Sequence, residues 1–208
     1  MKFSNAILTL QQRGLIVFLQ SSLYHIYAFF LKFIGYEYIK KTIYNYEMYL
    51  SLSDQGLSRS LILFGQRELD HKYILEKIVK PGMKILDIGA NIGYYALLEL
   101  SLIGSNGKLI AVEPSPENIL LLKRNIKINK HNNVKIIEGG ISDKNSIKKL
   151  FLTNESNLNT FNTEGINENK FTGNAINVET YTVSSAIQQD KDIDIIRMDV
   201  EGHEVEIL

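Results

Sequence analysis

The chain has 208 residues, 45% of them hydrophobic and 22% charged, with 23 Lys plus Arg against 23 Asp plus Glu and no cysteine. This composition excludes a disordered or fibrous protein, and the length suits one domain with room for an extra segment. Without cysteine there are no disulfides, thiolate metal sites or cysteine nucleophiles, and the balanced charge argues against a dedicated duplex-binding protein.

Residues 1–45 form the first unit. Leu15 to Ile34 is about as long as a membrane span, but Gln20, Ser21, Ser22, His25 and Lys32 interrupt it. Leu15, Phe18, Leu19, Leu23, Ile26, Tyr27 and Phe30 recur at three- and four-residue spacing, which predicts an amphipathic helix. Three readings stay open: a helical cap packed on the rest of the chain, a helix lying on an anionic membrane surface or gripping a lipid-linked substrate, or a true membrane span. No small-residue cleavage site follows a short apolar run, so a cytoplasmic location without a cleaved signal peptide is expected.

Residues 46–80 are expected to hold a small strand pair, Tyr46–Leu50 and Leu61–Phe64, around the turn Ser53-Asp54-Gln55-Gly56. A helix over Glu68–Val79 follows, closed by Pro81-Gly82.

From residue 81 to 208 strands and helices alternate. Strands are predicted at Lys84–Ile88, Lys108–Val112, Val134–Glu138 and within Ile193–Val200, with helices at Tyr94–Ile103, ended by Gly104, and Glu117–Asn129, capped at Ser115-Pro116. This alternation implies parallel strands in a doubly wound α/β, Rossmann-like sheet. Ile147–Leu152 and Ala175–Val183 alternate well enough to be strands. The polar stretch Asn154–Asn174 between them reads as a long loop acting as a lid.

The chemistry concentrates at Asp87-Ile88-Gly89-Ala90-Asn91-Ile92-Gly93, after a strand and opening a helix, where such sheets bind nucleotide-like ligands. Gly89 and Gly93 leave room for close backbone approach. A dinucleotide fingerprint would have glycine where Asp87 stands. A carboxylate there repels pyrophosphate but suits a ligand with an amino group and a sulfonium, which is S-adenosylmethionine. Glu113, at the end of the second strand, is placed to accept hydrogen bonds from both ribose hydroxyls.

The stretches Asp-Ile-Gly-Ala-Asn-Ile-Gly-Tyr-Tyr-Ala at 87–96, Ala-Val-Glu-Pro-Ser-Pro-Glu-Asn at 111–118 with Leu122, Asn125 and Asn129 following, and Met-Asp-Val-Glu-Gly-His-Glu at 198–204 resemble the motifs of the FkbM-type class I methyltransferases. The resemblance runs from about residue 46 to the end. It implies S-adenosylmethionine-dependent methylation of a hydroxyl on a sugar, glycan or polyketide-like small molecule. Carried over by position, Asp87, Gly89, Asn91 and Gly93, with Tyr94 beside them, line the methionine end of the donor, and Glu113 its ribose. Ser142 and Asp143 approach the adenine, and Asp199 sits beside the transferring methyl group. His203 stands where the family commonly has a small residue. Class I sheets usually carry further strands after the fourth, so the resemblance also implies a piece of a longer protein.

A hydroxyl acceptor needs a base, for which Asp199, Glu201 and His203 are the candidates; Glu201 with Glu204 could instead bind a divalent metal, though no metal is expected. Arg197 is expected to pair with a neighbouring carboxylate. Methylation of base amino groups normally uses an Asn/Asp-Pro-Pro-aromatic motif. The only prolines are Pro81, Pro114 and Pro116, so nucleic acid is not the expected acceptor. Two rivals remain: a membrane-associated adaptor that only binds through a degenerate fold, and a nicotinamide oxidoreductase.

Overall fold

The structure, a computed structural model, describes residues 3–163, 167–188, 190 and 192–207. A long helix, α1 (Phe3–Phe33), leads into a hairpin of β1 (Tyr38–Ile43) and β2 (Tyr46–Ser51), followed by helices α2 (Leu57–Phe64) and α3 (Leu69–Ile78). Then come β3 (Lys84–Ile88), α4 (Tyr94–Ile103), β4 (Lys108–Glu113), α5 (Pro116–Ile128), β5 (Val134–Glu138), β6 (Gly140–Ile141), β7 (Ser146–Thr153), β8 (Phe171–Tyr181), α6 (Val183–Ile187) and β9 (Ile195–Met198).

The core is a parallel sheet of order β5-β4-β3-β9, the α/β Rossmann-like architecture expected from the alternation. Side chains on these strands divide by the period of two. Leu86, Ile88, Ile110 and Val112 face one cluster with Ile141 and Ala186. Ile85, Leu109 and Ala111 face the other, against α4, α5 and the hairpin. Helix α4 is buried on all sides, which explains its nearly unbroken apolar sequence.

Two expectations for the first 80 residues are corrected. Tyr46–Ser51 is a strand, but it pairs with Tyr38–Ile43 inside the segment read as helical, so the hairpin straddles the expected boundary at residue 45. Leu61–Phe64, read as a strand, belongs to helix α2, where Leu57, Ser58 and Leu61 bury one face. Four consecutive apolar residues fit a buried strand or a buried helical turn, and periodicity alone does not separate them. The hairpin is held by two asparagines of α5. Asn125 accepts from the Tyr49 amide at 2.6 Å and donates to the Tyr49 carbonyl at 3.2 Å, and Asn129 does the same with Glu47 at 3.0 and 2.7 Å. These side chains stand in for a partner strand along β2.

The segment read as a loop between β7 and β8 is shorter and more ordered than expected. Phe171–Asn174 belong to β8, Ser156–Leu158 and Glu168–Lys170 form short 3-10 turns, and Thr160 bridges Phe151. Residues 164–166 and the side chain of Phe18 lie outside the described part of the molecule. Along α1, Ser21, Tyr24 and Ala28 turn inward, with Tyr24 and Ala28 packing with Leu52 against Leu31, Ile62 and Leu63. Among the described residues no helix is long and apolar enough to cross a membrane.

Candidate functional site

The carboxyl ends of β3, β4 and β9 converge on a cleft. Its floor is Ile88, Gly89, Val112 and Glu113; Pro114, Ile141, Leu150 and Phe161 make an apolar slot; Asn91, Asn157, Asp199 and Glu201 close the remaining side. A second cleft, lined by Arg67, His71, Tyr94, Tyr95 and Arg197, adjoins the first and shares Gly89, Asn91, Asn157, Asp199 and Glu201 with it.

Gly89 is required by the fold as well as by the cleft. Its φ is +85°, and a Cβ would lie 2.1 Å from the Asp199 carbonyl oxygen. The β3 turn and the end of β9 therefore touch at this point, which a side chain would prevent. Gly89→Ala is expected to cost at least about 2–4 kcal/mol of stability, measurable by chemical denaturation. Gly93, at φ +92°, opens α4; there a Cβ would meet Leu122 at 2.9 Å. Asn91, also left-handed at φ +52°, donates its amide to Glu113 Oε2 at 2.8 Å and accepts the Ile92 amide on its own side chain at 2.7 Å.

Glu113 is buried and receives three N–H groups: from Asn91, from Ser115 at 2.9 Å and from the Asn118 amide at 3.1 Å. Ser115 begins α5 as expected, with Pro116 in its first turn, but it donates its amide to Glu113 rather than capping with its hydroxyl. Burial pushes the Glu113 carboxyl up to about 7, against those three donors.

Asp87 lies deeper than the sequence reading placed it. It shares the face of Ile85, is fully buried, and borders neither cleft. Its register partner on β9 is Arg197, whose Nη1 donates to Asp87 Oδ1 at 2.8 Å while Nη2 donates to Asp199 Oδ2 at 2.8 Å. The guanidinium also stacks 4.1 Å from the Tyr95 ring centroid. The pairing expected for Arg197 is thus present on both sides. Burial pushes the Asp87 carboxyl up in spite of Arg197, and its Oδ2 has no hydrogen-bond partner. Nearby Glu99 is fully buried with both oxygens unpartnered, and burial pushes its carboxyl well above its ordinary value.

The candidate bases separate. Asp199 and Glu201 stand on the wall common to both clefts. Glu201 is half-buried, its φ is +48°, and burial followed by repulsion from Asp199 raises its pKa. A left-handed non-glycine residue costs of order 1 kcal/mol or more, and such strain clusters at working sites. His203 lines neither cleft. It is buried behind Phe161, with Nε2 3.2 Å from Ser142 Oγ, and burial lowers its pKa. Ser142 and Asp143 are also off the cleft: Ser142 joins His203, and Asp143 pairs with Lys148 at 3.5 Å. Gly139, Gly140 and Ile141 line the cleft in their place. Tyr94 lines the second cleft, but its hydroxyl is engaged, accepting from the Arg67 amide at 3.0 Å and donating to the Arg67 carbonyl at 2.8 Å. Among the described residues no group of three or more His, Asp or Glu side chains is placed to hold a metal ion.

Asp54 was not a sequence candidate. Its carboxylate caps α2, accepting the amides of Gly56 at 2.9 Å and Ser58 at 2.6 Å, and also takes the Ser156 amide at 2.8 Å and hydroxyl at 3.0 Å. It therefore pins the turn that carries Asn157 and Asn159 into the cleft. Asp54→Ala is expected to destabilise by about 2–3 kcal/mol and to speed hydrogen exchange at Ser156. Unchanged exchange there would contradict this role.

The donor's chemistry fits the cleft. The first cleft presents Glu113, Asp199 and Glu201 and, among the described residues, no Lys, Arg or His. That set suits a cation and opposes a pyrophosphate. The unpartnered Asp87 Oδ2 adds a buried acceptor behind it.

Parallel-sheet topology and a strand–turn–helix cleft of this kind define a Rossmann-like α/β fold. A family model for the methyltransferase FkbM domain matches residues 87–208, and the chain belongs to that family, whose methyl donor is S-adenosylmethionine. Among curated proteins, it is 34% identical over 61 residues to a protein-L-isoaspartate O-methyltransferase of Methanothrix thermoacetophila, covering 29% of each chain. It is 30% identical over 104 residues to the ribosomal RNA large subunit methyltransferase E of Buchnera aphidicola, covering 50% of this chain and 43% of that one. The chain thus spans less than half the length of these relatives. Among solved structures, M. jannaschii TYW2 in complex with AdoMet is 24% identical with a TM-score of 0.40, over 49% of this chain and 43% of that one.

Proposed function

We propose that the chain is an S-adenosylmethionine-dependent methyltransferase acting on the hydroxyl of a sugar, glycan or polyketide-like small molecule in the cytoplasm. The observation that carries this reading is the position of Glu201 and Asp199 on the wall between the acidic cleft at the strand ends and a second cleft beside it. When bound, S-adenosylmethionine supplies a methyl group already carrying its leaving group. The work of the chain is then proximity and orientation, worth about 7–11 kcal/mol. Glu113 would accept the ribose hydroxyls, Pro114, Ile141, Leu150 and Phe161 would take the flat base, and Asp199 would face the donor's positive charge, with Asp87 behind the wall holding Arg197 in place. Gly89, Asn91 and Gly93 shape the turn beneath the methionine end. Glu201, its pKa raised by burial, takes the proton from the acceptor hydroxyl as the new oxygen–carbon bond forms and the carbon–sulfur bond breaks. His203 and Ser142 support Phe161 from behind.

Glu201→Gln is expected to slow methyl transfer at saturating donor by about 100- to 10,000-fold. The assay is transfer of labelled methyl to a panel of glycans and hydroxylated small molecules. Transfer to isoaspartyl peptide or RNA instead, with the small molecules inert, would contradict the proposed acceptor class.

A further inference from the structure

The outer face of α1 is an apolar surface that the methyltransferase reading does not use. Leu15, Leu19, Leu23, Ile26, Tyr27, Phe29, Phe30 and Phe33 are all exposed, Phe29 by 73% and Phe33 by 80%. At 100° per residue these positions sweep an arc of about 160°, opposite Ser21, Tyr24 and Ala28, which pack on the domain. Ile34 and Tyr36 extend the exposed apolar surface past the helix end. A contiguous apolar patch of this kind marks an interaction surface.

We propose that this face docks the protein on an anionic lipid surface, with α1 lying in the plane of the interface. Charge identifies the occupant. The first 36 residues carry Lys2, Arg13 and Lys32 and no carboxylate side chain, the first being Glu37. Basic residues beside an apolar aromatic face suit anionic headgroups. The packed side of the helix rules out a span. Ser21 bonds to Arg59 of α2, and Tyr24 and Ala28 are covered by protein, so lipid cannot surround α1 while it stays on the domain. Phe29, Phe30, Phe33, Tyr27 and Tyr36 gather near the helix end, a composition favoured at the boundary between headgroups and acyl chains.

The test is co-sedimentation of the full chain with vesicles of phosphatidylcholine alone and of phosphatidylcholine mixed with phosphatidylglycerol, at low and high salt. The wild type is expected to bind the mixed vesicles and to dissociate as salt rises. Lys32→Glu is expected to weaken binding by about fivefold or more, and the triple change Ile26→Ser, Phe30→Ser, Phe33→Ser by at least about a hundredfold. These side chains are exposed, so the melting temperature and the S-adenosylmethionine affinity of both variants are expected to stay at the wild-type values. Failure here is thereby distinguishable from failure of the methyltransferase reading. Wild-type protein left in the supernatant, or a triple variant that sediments like the wild type, would overturn the proposal. So would a lipid-free dimer by light scattering that the triple change converts to monomer.

Discussion

Replacing Arg197 by Met is expected to lower the unfolding free energy by about 3–5 kcal/mol near neutral pH, the usual cost of removing one partner from a buried ion pair. Arg197 is the cation that Asp87, Asp199 and Glu99 share. Burial works against its charge, and those carboxyls overcome the penalty and hold its pKa above the ordinary value. Without it, Asp87 is fully buried with no counter-ion and can remain folded only by taking a proton. Its folded-state pKa then lies further above the unfolded one. The stability contribution of a group shifted in that direction is present below the unfolded pKa and lost as pH rises through the folded one. The deficit of the variant should therefore be larger at pH 8 than at pH 5. Urea denaturation at the two pH values tests this; an equal deficit at both would contradict it.

The second large effect concerns Glu113. Glu113→Ala is expected to weaken S-adenosylmethionine binding by about a hundred- to ten-thousandfold, since it would remove the acceptor for two hydroxyls at about 1.5–3 kcal/mol each for bonds to a charged group. It also leaves the Asn91, Ser115 and Asn118 donors without their shared partner. Because burial pushes the Glu113 carboxyl up to about 7, the accepting form is lost as pH falls through that value. Donor affinity should drop on going from pH 8 to pH 6, approaching about tenfold per pH unit at the acid end. Glu113→Gln, weak at every pH, should lack that slope. Calorimetry across the range measures both.

Much of this arrangement is legible in the sequence alone. The boundaries of β3, α4 and β5 follow the sequence because Gly104, Pro81-Gly82 and the apolar runs punctuate the chain where the backbone turns. The clustering of Glu113 and Asp199 at one sheet edge follows from strand order. What stayed hidden depended on contacts between distant segments. Asp87 and Arg197 are 110 residues apart, and only the β3–β9 register makes them neighbours. Asp54 looks like an ordinary turn residue until Ser156, 102 residues on, reaches it. Ser142 and His203 carry residue types suited to a site, yet they meet each other behind Phe161. Side-chain chemistry was readable at those positions, and side-chain direction was not. The hairpin was misplaced for a related reason: its stabilising partners are Asn125 and Asn129 of α5, which local pattern cannot supply.

The measurement that bears most directly on the account is calorimetric titration of the chain with S-adenosylmethionine, with NADH as control and a thermal melt run first. The account predicts a cooperative melt, saturable binding of S-adenosylmethionine that Glu113→Ala weakens by at least about a hundredfold, and no binding of NADH to a cleft lined by Glu113, Asp199 and Glu201. A chain that melts cooperatively yet takes up no S-adenosylmethionine, or that binds NADH in its place, would contradict it.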